Sequence, residues 1–272
     1  MKKYTGTSIF TMVVCLCFVA CNNGTEPTTP TEQPPAPESF GCLIQKTLPH
    51  DTSSFTEGLL IYKGALYESS GDPEYTGKSK LMKIDLNSGK IEKQINLDKK
   101  YFGEGIAILH DTIYQLTYKE KSIFVYNMDF KKINELTIST DNGQGWGMTT
   151  DGTYLIVDDG TSNLYYYQPS TFKLVKKLAV TDAGALGYNL NELEYIDGYI
   201  YANQWQLSYI LKIDPANGHV VAKIDLTDIW NSIQRKDPNA DVPNGIAYDE
   251  ATKKIYITGK KWPDLYEVQF TK

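Results

Sequence analysis

The sequence predicts an all-β protein, a five-bladed β-propeller whose ring is closed by the N-terminal strand pairing with the last blade. Three observations lead there: a short motif present in five copies, a spacing of 42 to 53 residues between copies, and a last copy that is one strand short. A repeat of roughly 40 to 50 residues built of short strands marks a propeller, in which four-stranded blades surround a central channel.

In each copy a leading residue opens an apolar run, a polar turn follows, and a second strand carries polar side chains. Phe55-Thr56-Glu57-Gly58-Leu59 precedes Ala65-Leu66-Tyr67-Glu68-Ser69, and Phe102-Gly103-Glu104-Gly105-Ile106 precedes Gln115-Leu116-Thr117-Tyr118-Lys119-Glu120. Gly145-Trp146-Gly147-Met148 precedes Tyr154-Leu155-Ile156-Val157-Asp158. Leu190-Asn191-Glu192-Leu193 precedes Tyr199-Ile200-Tyr201-Ala202-Asn203, and Pro243-Asn244-Gly245-Ile246 precedes Lys254-Ile255-Tyr256-Ile257-Thr258. The leading residues Glu57, Glu104, Trp146, Asn191 and Asn244 stand 47, 42, 45 and 53 positions apart.

Taken in order, residues 1–20 read as a secretory signal: Lys2 and Lys3 precede an apolar run from Ile9 to Ala20 that is too short to span a bilayer. The run ends in Phe18-Val19-Ala20-Cys21, which resembles the cleavage box of bacterial lipoproteins, so Cys21 is the expected lipidation site. That places the protein in the bacterial cell envelope, attached to the membrane through the lipid only. Residues 21–39 contain Pro27, Pro30, Pro34, Pro35 and Pro37 among Thr and Glu, the composition of a disordered tether. The folded domain is then residues 40–272, long enough for one all-β core.

Residues 41–48 have the length and composition of the strand missing from the last copy, and their pairing there removes an open edge. The first unit shows the strand grammar: residues 80–86 alternate apolar and polar side chains, Asn87-Ser88-Gly89 supplies a turn, and residues 91–97 return. The fourth unit repeats it with residues 210–214, Pro215-Ala216-Asn217-Gly218 and residues 220–226. Residues 228–242 interrupt the period. Asp228 is suited to cap a short helix carrying Ile229, Trp230 and Ile233 on one face, either a decorated loop or a lid near the channel mouth.

Composition narrows the chemistry. The net charge of −6 becomes −8 once Lys2 and Lys3 leave with the signal, and no basic stripe is present, which argues against nucleic acid. Cys15 and Cys17 leave as well and Cys21 is acylated, so Cys42 alone remains, read as a small core residue; no intrachain disulfide and no cysteine metal site is expected. His50, His110 and His219 lack ligand spacing and read as turn or surface residues. Most of the 20 tyrosines belong between blades.

In a propeller the first strand of each blade lines the channel, so the five leading residues should form a ring at one end. Two acids, an indole and two amides are not a repeat consensus, and they suggest a site. Similar places on the second strands hold Glu68, Tyr118, Asp158 or Asp159, Trp205 and Lys260, adding acids, a cation and an aromatic wall of Tyr118, Trp146 and Trp205. Such a pocket suits a small polar ligand with an apolar stem.

These motifs, together with Ala202-Asn203-Gln204-Trp205-Gln206, Asn244-Gly245-Ile246-Ala247-Tyr248-Asp249 and Thr258-Gly259-Lys260-Lys261-Trp262-Pro263, resemble the plant and bacterial glutaminyl-peptide cyclotransferases from about Leu43 to the C-terminus. The resemblance implies a five-bladed propeller that converts an N-terminal glutamine of peptides and proteins to pyroglutamate with release of ammonia, as a monomer without cofactor or metal. It implies that Glu104, Asn191 and Lys260 are catalytic, and that Trp146 and Trp205 bind substrate, joined by Glu57, Tyr118 and Asn244. Two positions depart from the family: it often has Gln where this chain has Glu57, and Trp where this chain has Tyr118. The expected chemistry is intramolecular attack of the α-amine on the γ-carboxamide, with Glu104 as general base and then general acid and Asn191 and Lys260 facing the oxyanion. A calcium-dependent lactonase-like hydrolase and a non-catalytic peptide- or glycan-binding propeller are the alternatives, since either would use a ring of acids and amides at the channel.

Overall fold

A computed structural model describes residues 1–3 and 34–272. The predicted signal, the lipidation site Cys21 and the tether up to residue 33 lie outside the described residues. Strand β1 (Glu38–Pro49) starts within the stretch read as tether, because Glu38, Ser39 and Phe40 run parallel to Ala222, Lys223 and Ile224. From Gly41, opposite Thr271, to Pro49, opposite Asp264, the same strand runs antiparallel to the last strand of the chain. The N-terminal strand thus pairs with the last blade, as the missing strand predicted, and also ties it to the blade before.

Four-stranded antiparallel sheets account for the rest. The first is β2 (Phe55–Tyr62), β3 (Ala65–Gly71), β4 (Lys80–Ile84) and β5 (Ile91–Asn96); the second is β6 (Gly103–Leu109), β7 (Thr112–Thr117), β8 (Ser122–Asn127) and β9 (Lys132–Thr137). The third is β10 (Met148–Thr150), β11 (Leu155–Asp158), β12 (Asn163–Gln168) and β13 (Lys173–Ala179), followed by a ribbon of β14 (Thr181–Asp182) and β15 (Ala185–Leu186). Next come β16 (Leu190–Ile196), β17 (Tyr199–Gln204), β18 (Tyr209–Ile213) and β19 (Val220–Asp225), then helix α1 (Thr227–Lys236). The last sheet is β20 (Pro243–Asp249), β21 (Lys254–Gly259) and β22 (Asp264–Thr271), completed by β1.

The first strands of the sheets, β2, β6, β10, β16 and β20, each contact the next, and β20 returns to β2. Between neighbouring sheets lie apolar clusters built from both faces. Leu81 and Tyr67 meet Ile113 and Phe124, Leu116 meets Leu155 and Tyr165, and Tyr166 meets Ile200 and Leu211. Ile210 meets Ile257 and Tyr266, and Leu265 with Tyr256 meets Met82 and Leu66. Apolar side chains are thus needed on both faces of the middle strands, whereas the outer strands β5, β9 and β13 are largely exposed.

Close approach at the axis explains the glycines that follow the leading residues. A Cβ on Gly58 would stand 2.7 Å from the Ile106 backbone nitrogen, one on Gly105 would enter the Trp146–Met148 backbone, and one on Gly147 would meet the Asn191 carbonyl. Gly245 adopts φ +120°, open only to glycine. In the fourth sheet Glu192 takes the place of glycine, and its carboxylate accepts the Leu59 N–H at 3.0 Å and the Ile246 N–H at 2.8 Å, joining three inner strands. Pairing slips at four of the five leading residues, between Thr56 and Gly58, Gly103 and Ile106, Leu190 and Leu193, and Pro243 and Ile246; Trp146 lies just before β10, which pairs in regular register. Such bulges bend a strand and re-aim a side chain.

Helix α1 is packed into the core, where the sequence left open a decorated loop or a lid. Its N-cap is Leu226 without a side-chain cap, so Asp228 lies in the first turn rather than capping. Ile229 and Ile233 sink into the cluster formed with Ile210, Ile224, Ile257 and Trp262, between the last two blades. After the helix, Asp241 N–H donates to the Lys260 carbonyl at 2.8 Å and Lys260 N–H to the Val242 carbonyl at 3.0 Å. The insertion is a backbone brace for Lys260.

Gly105→Ala is expected to destabilise the protein by about 1–3 kcal/mol or more through overpacking. In a thermal melt followed by circular dichroism this appears as a fall of roughly 2–4 °C per kcal/mol for a chain of this size. A melt unchanged from the wild type would show that the axis is looser than described.

Candidate active site

A cavity of about 320 Å³ opens at one end of the channel, lined by Phe55, Glu57, Pro73, Tyr75, Phe102, Glu104, Tyr118, Trp146, Asn191, Trp205 and Lys260. Seven residues singled out from the sequence, Glu57, Glu104, Tyr118, Trp146, Asn191, Trp205 and Lys260, therefore meet in one space. The eighth, Asn244, stands behind the wall: its side-chain amide donates to the Thr56 carbonyl at 2.9 Å and to Glu57 Oε2 at 3.2 Å. It holds Glu57 and does not line the cavity.

The polar floor is set by the bulges. Glu57 and Glu104 sit where β2 and β6 slip register, and both are almost wholly buried. Lys260, in the turn after β21, reaches Glu57 Oε1 at 2.6 Å, with both partners buried. Its turn is held from below: Lys261 N–H donates to the Ser54 carbonyl, and the buried Trp262 packs where a Cβ on Gly259 would lie and donates Nε1–H to the Asp241 carbonyl at 2.8 Å. Asn191 lines the cavity too, and its Oδ1 is buried with no hydrogen-bond partner among the described residues. Such a group is costly until something meets it.

Burial governs the charges. It pushes the Glu57 carboxyl up to about 7, although Lys260 pulls the other way. Glu104 is raised well above the ordinary carboxyl value, first by burial and then by the neighbouring Glu57, with Lys260 opposing. The pocket thus favours one proton on its carboxyl pair near neutrality.

Aromatic rings form the walls in an edge-to-face series. Phe55 meets Phe102 at 6.2 Å, Phe102 meets Tyr118 at 5.8 Å, Tyr118 meets Trp146 at 6.2 Å, and Trp146 meets Trp205 at 5.6 Å and 86°. Trp146 is fixed by its Nε1–H bond to Gln144 at 2.9 Å and by Gly160, where φ is +77° and a Cβ would overlap the indole. Lys260 Nζ lies 4.5 Å from the centre of the Phe55 ring.

Sequence reasoning missed Phe55, Phe102, Pro73 and Tyr75. The two phenylalanines were recoverable, since each stands two positions before a leading glutamate. Tyr75 was not: it has φ +51° in a loop gathered by Asp72, whose Oδ2 accepts from Thr76 N–H at 2.6 Å and Lys78 N–H at 2.9 Å.

Other nominated acids lie outside the cavity. Glu68 accepts from Thr56 Oγ1 at 2.7 Å and contacts His50 Nε2 at 3.3 Å; Asp158 accepts the Gly147 and Gly160 N–H groups; Asp159 accepts from the Tyr165 hydroxyl at 2.9 Å. His50 is not a surface residue. Its ring is buried between Glu68 and the Trp262 carbonyl, 2.7 Å from Nδ1, and Glu68 helps raise its pKa against the lowering effect of burial. His110 is exposed at a turn, as expected, whereas His219 is half-buried in a bridge to Thr181, whose Oγ1 lies 3.0 Å from Nδ1. Cys42 is half-buried against the last interblade cluster, where burial raises its thiol to about 12. Among the described residues no group of three or more His, Cys, Asp or Glu side chains is arranged to hold a metal ion.

Comparison with known proteins places this geometry. A family model described as glutamine cyclotransferase matches residues 12–270. The chain is 37% identical over 225 residues to the glutaminyl-peptide cyclotransferase of Arabidopsis thaliana, covering 81% of this chain and 68% of that protein. Its fold is similar to the crystal structure of Myxococcus xanthus glutaminyl cyclase, with a TM-score of 0.79 and 33% identity over 86% of this chain and 98% of the other.

The buried acids give the protein a definite response to pH. Glu57, Glu104, Asp158, Glu192 and Glu194 all have carboxyls raised by burial, to about 7 for Glu57 and about 8 for Glu194. Between the ordinary value of 4.5 and these raised values the folded state binds more protons than the unfolded chain, so stability declines as pH rises through that window. The melting temperature should therefore be higher at about pH 5 than at about pH 8. The opposite order would mean that these carboxyls are ionised in the fold.

Proposed function

This chain belongs to the glutamine cyclotransferase family, and from that premise we propose that the cavity cyclises the N-terminal glutamine of peptides and proteins to pyroglutamate, releasing ammonia. The observation that carries the reading is the convergence of Glu104, Asn191 and Lys260, from three different blades, in one aromatic-walled space.

The reaction forms a bond from the α-amine nitrogen to Cδ of the same residue and breaks the bond from Cδ to the amide nitrogen. One proton leaves the attacking nitrogen and one joins the departing nitrogen, which exits as ammonia. Because both reacting groups belong to one residue, the pocket's task is to hold the folded conformer and to move those protons. Phe102, Tyr118, Trp146 and Trp205 enclose the methylene stem. The orphaned Asn191 Oδ1 meets a substrate N–H. Lys260 carries three N–H donors and spends one on Glu57, so its ammonium also faces the oxyanion that develops at Cδ.

We infer an order of proton transfer opposite to the one expected from the sequence, supported by the burial of Glu104, which raises its carboxyl. A carboxyl held protonated serves first as general acid to the departing nitrogen, and its carboxylate then takes the proton from the ring nitrogen, returning to the starting state. The cavity is complete within one chain, so the proposed reaction needs no second copy. We further assign it to the bacterial cell envelope, anchored through a lipid on Cys21; the Phe18-Val19-Ala20-Cys21 box after an apolar run and the proline-rich stretch before β1 support that placement.

Incubation of the purified protein with a glutamine-initiated peptide, with a chelator present throughout, should remove the mass of ammonia faster than the spontaneous rate. Glu104→Gln should lower kcat by about 10²–10⁴-fold, and Lys260→Met by about 10²–10³-fold. Equal rates for wild type and Glu104→Gln would defeat the reading. In the pH profile of kcat/KM, the rising limb should follow the substrate amine near 7.7–8.0 and the falling limb the loss of the Glu104 proton. A rate that falls steadily from acid to neutral pH would contradict the proposed order of transfer.

A further inference from the structure

We propose that Glu57 is a positioning residue for Glu104: by binding the Lys260 ammonium to itself, it leaves Glu104 as the carboxyl that holds the pocket's one exchangeable proton. The inference concerns the resting state of the cavity, and only its kinetic consequence rests on the proposed cyclisation.

Five ionisable side chains line the cavity, the acids Glu57 and Glu104, the cation Lys260 and the phenols Tyr75 and Tyr118, with the Tyr75 phenol pushed up to about 12 by burial. Around them, Asp241 acts on Glu57, and Asp158 and Glu120 act on Glu104, all of them acids. Two further cations, Lys119 and Lys261, lie at the rim over the Tyr118 and Phe55 rings, where solvent reaches them. A buried site disfavours net charge, so one carboxylate beside one ammonium, with the second carboxyl protonated, is the favoured set.

Geometry decides which carboxyl is the anion. Glu57 has Lys260 Nζ at 2.6 Å on Oε1 and the Asn244 amide at 3.2 Å on Oε2, and that amide is itself held by the Thr56 carbonyl. Both oxygens of Glu57 meet donors; among the described residues no donor is recorded for the Glu104 carboxyl, whose surroundings are burial and charge alone. Asn244, buried and outside the cavity, thereby acquires a role: its donor favours the charged form of Glu57. If Glu57 loses its charge, Lys260 has no anionic partner but Glu104, and the proton leaves Glu104.

The test is a titration of the full chain carrying ¹³C-labelled glutamate carboxyls, with the Glu104 resonance assigned by its loss in Glu104→Gln. Wild-type Glu104 should be protonated at pH 7. In the near-isosteric Glu57→Gln it should be ionised there, its midpoint lower by more than one unit. Glu104 ionised at pH 7 in the wild type, or an unmoved midpoint in Glu57→Gln, would overturn the inference. Should Glu57→Gln lose its cooperative melt, Asn244→Ala is read in its place and should move the midpoint the same way by a smaller step; an unmoved midpoint there would equally overturn it. Kinetically, Glu57→Gln should cyclise at least ten-fold more slowly than wild type at pH 8 and regain rate on acidification. Absence of turnover in the wild type would sink the proposed function while leaving the titration to decide this inference.

Discussion

Everything at this site depends on how closely the inner strands approach at the axis. Gly58, Gly105 and Gly147 let neighbouring backbones meet, and Glu192 spans from β16 to β2 and β20. The result is a channel pinched in its middle. The cavity containing Glu104 and a second one of about 500 Å³, lined by Thr149, Glu194, Tyr195 and Tyr248 among others, share no lining residue. The pinch also forces the register slips, because a strand turning away from its neighbour carries one unpaired residue. Of the residues at the slips, Glu57, Glu104 and Asn191 reach the cavity. Scaffold and site are thus two results of one steric condition.

A buried ion pair such as Glu57–Lys260 is a weak contributor to stability, since desolvation of both charges offsets their attraction. The surrounding structure accounts for its persistence. The insertion that carries α1 grips the Lys260 backbone from both sides, Trp262 fills the space under its turn, and Asn244 completes the far side of Glu57. Keeping an ammonium and two buried carboxyls in one cavity means holding several groups against their tendency to pair differently. The fold spends two blades and a helix on that task.

Much of this was legible in the sequence, and the failures share a cause. Repeat spacing exposed the sheets and the missing strand, because strand pairing is periodic and leaves a pattern. The leading positions pointed to the cavity for the same reason, and Phe55 and Phe102 obeyed that pattern although they were passed over. Asn244 shows the limit: it has the right place in the repeat, yet in the fifth blade Gly245 at φ +120° turns the chain, and the side chain meets the Thr56 carbonyl instead of the cavity. Glu68, Asp158 and Asp159 have the matching place on the second strands, but each accepts from a nearby donor outside the cavity. His50 and Tyr75 depend on contacts from distant segments or on an irregular loop, and neither leaves a periodic trace. Helix α1 had the amphipathic spacing of a lid, which is also the spacing of a core filler; only its neighbours distinguish the two.

The pinch bears as well on which end of a polypeptide the proposed reaction can use. The cavity shares no lining residue with the one beyond the axial glycines, and its size suits a chain terminus. A glutamine inside a chain would have to bring a peptide bond on both sides into a space of about 320 Å³, already narrowed by the indoles of Trp146 and Trp205. A terminal residue brings one, and its free amine is the group that must lie nearest the floor, beside Glu104. Selectivity for the N-terminus then follows first from chemistry, since only a terminal glutamine has a free amine to attack its own carboxamide, and the small cavity adds to it.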